Sequence, residues 1–306
     1  MRLAAIDIGS NAARLLISDV TTTDYGKPQF QKLNLVRVPL RLGFDVFENN
    51  TISAEKETMI IKTIRSYKLL TDVYGVEHMK ACATSAMRDA TNGKEIIEKV
   101  KEDTGIEIEI ISGDAEASLI YENHVAENLD KEHAYLYIDV GGGSTELTFF
   151  ADGNLVFKRS FNIGTIRILK KQVDEFMWDE MRDFIKRETR DYDGDMVAIG
   201  SGGNINKVFA LSKRKEGKPL QLDLLKDYYR ELSSFSVEDR VRIYKMREDR
   251  ADVIVPALLI YINVMRWANI DDIFVPKIGL ADGLIQHLYY EIENQKSRRF
   301  TINKPQ

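Results

Sequence analysis

Apolar and polar residues along the chain fall into two successive copies of one pattern. Residues 2–8 and 14–20 run apolar or alternate, which predicts two strands flanking a short Gly/Ser loop. A third strand over about 29–38 completes an antiparallel meander. Helical periodicity over 53–75 follows Ser53, a side chain suited to an N-cap. Met79 to Ala83 reads as a short strand and 92–104 as a helix capped by Asn92 and stopped by Gly105. Ile106 to Ile111 reads as a strand, and Ser112-Gly113-Asp114 opens a helix through about Ala126. The pattern then restarts with strands at 134–140, 145–151 and 154–161, a helix over about 174–191 and a strand at 196–199. Helices at about 204–212, 222–233, 236–246 and 249–268, a strand at 272–275 and a helix at 281–294 close the chain. Ser212 to Pro219 reads as an exposed loop, and Lys296 to Gln306 is polar and reads as a fraying end. Each half is thus a meander followed by helix, strand and helix, which implies a duplicated α/β fold with mixed sheets and ligand loops at strand ends.

The two copies share a loop. Ala5-Ile6-Asp7-Ile8-Gly9-Ser10-Asn11 and Tyr137-Ile138-Asp139-Val140-Gly141-Gly142-Gly143-Ser144-Thr145 are each an apolar strand ending in Asp, then Gly and Ser. Glycine lets backbone approach a ligand and turn N–H groups toward an anion. The aspartate can hold a divalent cation directly or through water. A single Asp-x-Gly after a strand is an ordinary turn. Two at domain-scale separation point to phosphoryl chemistry in a cleft between related domains.

Composition narrows the partners. A chain of 306 residues, 44% hydrophobic and 30% charged, suits two globular domains, 1–124 and 125–306. No apolar run reaches membrane-spanning length, and the N-terminus enters a strand without the basic and apolar regions of a leader. The lone cysteine, Cys82, excludes an internal disulfide, fits a reducing, cytoplasmic setting and reads as a buried structural thiol. A net charge of −5 argues against nucleic acid as partner. An acidic substrate would need a local patch, for which Arg167-Lys170-Lys171, Lys213-Arg214-Lys215 and the cluster from Arg240 to Arg250 are candidates. The four histidines lack metal-ligand spacing, and there is no Ser-His-Asp signature or Walker-type loop.

The stretches AAIDIGSNAARLL from Ala4, ATSAMRDATNG from Ala83, EIISGDAEASLIY from Glu109 and YIDVGGGSTELT from Tyr137 carry a resemblance. AIGSGGNI from Ala198, RADVIVPA from Arg250 and KIGLADGL from Lys277 add to it. Together the chain resembles the short, two-domain form of the exopolyphosphatase / guanosine pentaphosphate phosphohydrolase family, within the actin, sugar-kinase and heat-shock ATPase superfamily. The resemblance implies two actin-like (ribonuclease H-like) domains, each a mixed five-stranded sheet with helices, around a cleft. It leaves open whether the last helix packs back on the first domain.

It also implies a site. Gly9, Ser10 and Asn11 would hold one phosphate, Gly141, Gly142, Gly143 and Ser144 another, and Gly200, Ser201 and Gly202 would line the far side. Arg88 would offer a guanidinium fork to phosphate, or else an ion pair to Asp89 or Glu95. Glu116 matches the family's general base. Asp139, Asp7 and Glu116 would position Mg²⁺ or Mn²⁺. Glu146 matches a further position, either pairing with a loop residue or meeting metal-bound water. The implied activity is removal of terminal phosphate from polyphosphate or guanosine pentaphosphate, with domain closure about residues 122–133 and an isologous homodimer as an expectation. Ala12, Ala115, Ser118 and Asn204 depart from the family pattern. They motivate a second expectation, a sensor of polyphosphate or of guanosine penta- or tetraphosphate with little turnover. A kinase or ATPase on the same fold is a third.

Overall fold

The computed structural model describes residues 1–23, 26–116, 118–119, 133–190, 192, 194–276 and 279–302, with side chains through 296. Two mixed sheets form the frame. The first contains β1 (Arg2–Ile8), β2 (Ala13–Thr22), β3 (Pro28–Val38), β4 (His78–Ala83) and β5 (Glu109–Ile110), in the order β3-β2-β1-β4-β5. The meander β1-β2-β3 is antiparallel, and β4 and β5 add in parallel. The second contains β6 (Ala134–Val140), β7 (Thr145–Ala151), β8 (Asn154–Phe161), β9 (Met196–Ser201), β10 (Leu220–Gln221) and β11 (Asp272–Phe274). Its order is β10-β11-β9-β6-β7-β8, so it has six strands where the sequence implied five. The extra one is β10, a two-residue strand antiparallel to β11 and too short to show a period.

Local chemistry explains most boundaries. The helix Ala54–Tyr74 starts at Ser53, whose side chain accepts from the Lys56 amide at 3.4 Å, and stops at Gly75 in the left-handed region. The helix Gly93–Thr104 stops likewise at Gly105, but Asn92 does not cap it. The Asn92 side chain instead bonds the Ile52 N–H and C=O, at 3.0 and 2.9 Å. The expected strand over 106–111 shrinks to β5, because Ile106 and Ile108 are drawn into the core. The helix expected over 249–268 is two helices, Glu248–Ala251 and Ile254–Trp267. Pro256 is the reason: without an N–H it cannot bond the Asp252 carbonyl, so it fits only the first turn of a new helix. Short helices at Leu42–Asn49, Ser85–Asp89 and Thr165–Leu169 lack a sequence signal of their own length.

Each sheet covers its own apolar cluster, Ile6, Ile8, Leu15, Ile60 and Ile64 in the first half and Leu136, Ile138, Leu147, Ile260 and Val264 in the second. A third cluster joins the ends of the chain. Leu280, Ala281, Leu284 and Ile285 pack with Leu3, Ala5 and Leu16, so the final helix, Leu280–Ile302, lies on the first sheet. That helix is longer than the span read from sequence. Cys82 is buried in this cluster. Residues 113–116, 118 and 119 are helical, as expected after Ser112; the rest of that expected helix and the expected hinge, apart from residue 133, lie outside the described residues. Among the described residues no helix is long and apolar enough to cross a membrane.

Candidate active site

Strand register builds the site. Asp7 is the penultimate residue of β1 and Asp139 that of β6, each beside its Gly/Ser loop. Both loops close with the same bond: Gly9 N–H donates to Ala12 C=O at 3.0 Å and Gly141 N–H to Ser144 C=O at 2.9 Å. An amide that closes its own turn is not offered to a ligand, so these two glycines shape the loops. The loops touch. A Cβ on Gly142 would lie 2.9 Å from Ser10 Cβ, and one on Gly143 2.5 Å from Phe47 Cζ and Ser85 Oγ. Only glycine permits that approach between the halves. Ser10 and Ser85 share a 2.8 Å hydroxyl contact.

A cavity opens between the loops. Its lining includes Asp7, Gly9, Ser10, Asn11, Glu116, Asp139, Gly141, Gly142, Ser144 and Gly202 from the sequence reading. It also includes Arg14, Arg37, Ser85 and Thr165, which that reading did not assign to the site, together with Asn204, read there as a departure from the family pattern, and Arg250, the end of a basic run read as a candidate substrate patch. Gly143, Gly200, Ser201 and Arg88 are not on its wall. Gly200 faces Ile273 and Ile205 inside the second half. Ser201 acts one step back, donating to Asp139 Oδ1 at 2.7 Å, and the buried Tyr261 hydroxyl in turn donates to the Ser201 carbonyl. Arg88 donates to the Ile111 carbonyl at 2.8 Å, and its Nε lies 3.9 Å from Asp89. Its fork is therefore partly committed to backbone.

Three carboxylates converge: one oxygen each from Glu116, Asp139 and Glu146 lie within 4.8 Å of one another. Register explains two of them, since Asp139 pairs with Glu146 on β7 and with Ser201 on β9. Glu116 comes from the helical turn after Ser112. Glu146 accepts from Ser144 at 2.6 Å and Ser160 at 2.9 Å, both on its Oε1. Burial, then the charge of Asp139, pushes Glu146 up to about 7 against those bonds. Burial, then Glu146, Asp139 and Asp7, raises Glu116 well above the usual range. Burial also raises Asp139, although Ser201 and Arg14 oppose it. The second oxygens of Glu116 and Glu146 are buried without a partner. An all-oxygen set with unmatched buried charge fits a hard divalent cation. Asp7 stands apart from this set, because its carboxylate takes Arg14 at 2.7 Å.

The cavity wall also carries basic residues. Arg14, Arg37 and Arg250 line it, and burial, then Arg37 and Arg14, pushes Arg250 down to about 10. Four ion pairs tie the halves: Arg37 to Asp249, Arg41 to Asp252, Arg167 to Asp89 and Lys170 to Glu48. Arg167 and Lys170, read from sequence as a possible substrate patch, are thus engaged across the cleft.

Known proteins resemble this chain in sequence and fold. The Ppx/GppA phosphatase family matches residues 20–291. A bifunctional 3-dehydroquinate synthase/phosphatase from Fusobacterium nucleatum is 27% identical over 321 residues, covering 95% of this chain and 47% of its own length. The chain thus spans about half of that relative. Exopolyphosphatase 1 of Mycobacterium tuberculosis is 24% identical, covering 93% of this chain and 87% of that protein. Among solved structures, the Aquifex aeolicus Ppx/GppA family member superposes with a TM-score of 0.73 at 27% identity, over 95% of this chain and 98% of that one. An exopolyphosphatase from Cytophaga hutchinsonii shares the fold, with a TM-score of 0.80 at 22% identity over 96% and 98% of the two chains. With a family match over most of its length and the same two-sheet frame, the chain belongs to the Ppx/GppA phosphatase family.

Proposed function

We propose that the protein hydrolyses the terminal phosphoanhydride bond of inorganic polyphosphate, with guanosine pentaphosphate as an alternative substrate of the same chemistry. The observation that carries this reading is the contact of two Gly/Ser loops beside three convergent carboxylates, of which Glu146 is buried and Asp139 half-buried. Loop amides, that of Ser144 among them, and whichever hydroxyl of the Ser10–Ser85 pair keeps its hydrogen free would grip the last phosphates, and Arg14 and Arg250 would offset their charge. Glu116 would orient a water in line with the terminal phosphorus. The water oxygen forms a bond to phosphorus, the bridging P–O bond breaks, and the water proton passes to Glu116. The products are orthophosphate and a chain one phosphate shorter. Burial suits Glu116 to this task, because a carboxylate held at raised pKa is a stronger base once ionised. Glu116, Asp139 and Glu146 would hold a divalent cation such as Mg²⁺ or Mn²⁺, which when bound supplies charge to offset the phosphate oxygens.

The test is orthophosphate release from long-chain polyphosphate, with Mg²⁺ and with chelator, beside Glu116→Gln. Metal-dependent release lost in the variant supports the reading. Release unchanged by the variant moves the base elsewhere. A second reading, binding with little turnover, draws on Ala12 in the cavity wall, where no hydroxyl is offered, and on Asn204, whose oxygen faces Arg250 at 3.4 Å. Tight polyphosphate binding without release would select it.

A further inference from the structure

Arg37 sits on β3 directly opposite Arg14 on β2, so both side chains leave the same face of the sheet and reach the cavity. The Arg37 side chain is 11% exposed, and its Nη2 pairs with Asp249 from the other half, itself buried. That pair uses one edge of the guanidinium. Its Nε is buried and has no hydrogen-bond partner. A buried N–H of a cation left unsatisfied is costly; Nε lies on the same edge as Nη2, so that cost falls on the Asp249 side, and the Nη1 edge is the one that can take an oxyanion while the carboxylate is kept.

We propose that Arg37 is a specificity-determining residue that binds the phosphate chain beyond the two phosphates held by the Gly/Ser loops, and that Asp249 orients it from across the cleft. This rests on the phosphohydrolase reading above and deepens it. Three guanidiniums meet at this wall, and the carboxylates paired with them are Asp7 and Asp249, so positive charge remains for an arriving anion. Burial, then the charges of Arg37 and Arg14, depresses Arg250, so an anion placed among them would relieve both costs. The ligand class that satisfies a row of donors leading away from two phosphate loops is a linear phosphoanhydride of three or more phosphates. Asn11 in the first loop donates to the Asp249 carbonyl at 2.9 Å, so the orienting carboxylate is fixed relative to the loop that grips the chain end. The subsite is complete only with both halves in place, since Arg37 comes from one and Asp249 from the other.

The experiment compares binding of tripolyphosphate and pyrophosphate by calorimetry to wild type, Arg37→Met, Arg37→Lys and Asp249→Asn, beside phosphate release by wild type. Arg37→Met is expected to weaken tripolyphosphate about tenfold or more, the loss of a bond to a charged group, and to leave pyrophosphate within about twofold. Arg37→Lys should recover part of the tripolyphosphate affinity, and Asp249→Asn should show the same selective loss in weaker form. Equal losses for both ligands would show a structural pair and overturn the proposal, as would no loss for either. Wild-type release of phosphate with an unchanged tripolyphosphate-to-pyrophosphate ratio in all variants would sink the Arg37 assignment alone. Wild type that neither binds nor hydrolyses either probe would remove the phosphohydrolase reading and this one with it.

Discussion

Arg14 holds in the first sheet the position that Glu146 holds in the second. Each is the antiparallel cross-strand partner of the penultimate aspartate of the preceding strand, Arg14 opposite Asp7 and Glu146 opposite Asp139. The duplicated frame therefore carries opposite charges at equivalent sites. Burial works against the Arg14 charge, but Asp7 at 2.7 Å more than restores it. The first pair neutralises itself, while the second sets acid against acid and calls for a cation.

A cation titration separates the two. Glu146→Gln is expected to weaken Mg²⁺ binding by about tenfold or more, whereas Asp7→Asn changes it far less. Calorimetry or cation-induced thermal shift measures both. The reverse ranking would return the metal role to Asp7.

Glu116→Gln is expected to lower phosphate release by about 10²–10⁴-fold, the usual contribution of a positioned general base. The same change removes a buried ionisable group beside two other acids, so the cation-free variant should melt no lower than wild type. A large drop in melting temperature would mean that Glu116 chiefly supports the fold.

The pH dependence has a fixed sign. Glu146 ordinarily titrates near 4.5 and is pushed up to about 7 in the fold. The folded state thus holds its proton more tightly, and the stability this group confers on the cation-free protein falls as pH rises from about 4.5 to about 7, then levels. Subtracting the melting profile of Glu146→Gln from that of wild type should reveal this slope. Mg²⁺ must displace the same proton, so its thermal shift should grow across the same window. A flat difference profile would refute the shift.

Gly202 has φ +104, and a Cβ there would lie 3.2 Å from Asp139 Oδ1. Gly202→Ala is expected to cost about 1–3 kcal/mol from backbone strain and to disturb the Ser201–Asp139 bond next to it. Denaturant melts give the first effect. A loss of Mg²⁺-dependent turnover larger than the loss of stability explains gives the second.

What could be read from the sequence was local. The strand-loop units at Asp7 and Asp139 announce themselves because strand, turn and carboxylate are contiguous, and Glu116 follows its Ser112-Gly113 start closely. Arg37 could not be found that way. It lies one residue from the end of β3 among alternating residues, and it reaches the cavity because β3 pairs with β2 in the register that sets it opposite Arg14. Arg250 was visible as one member of a basic run, but its placement depends on the break that Pro256 forces and on Gly203, where a Cβ would lie 2.4 Å from the guanidinium. Glu146 was noted as a candidate with its role open; the cross-strand pairing that sets it beside Asp139 is a tertiary fact.

The packing of the final helix on the first sheet sets an order of assembly. Leu3, Ala5 and Leu16 are made before the second half, but the residues that cover them, Leu280 to Ile285, are made only after most of that half. A nascent chain paused between the halves would expose one apolar side of its first sheet, and that half would reach its native packing last. Splitting the gene between the halves should yield an insoluble first fragment. A circular permutant that places the final helix ahead of Met1 should let the first half fold as it emerges.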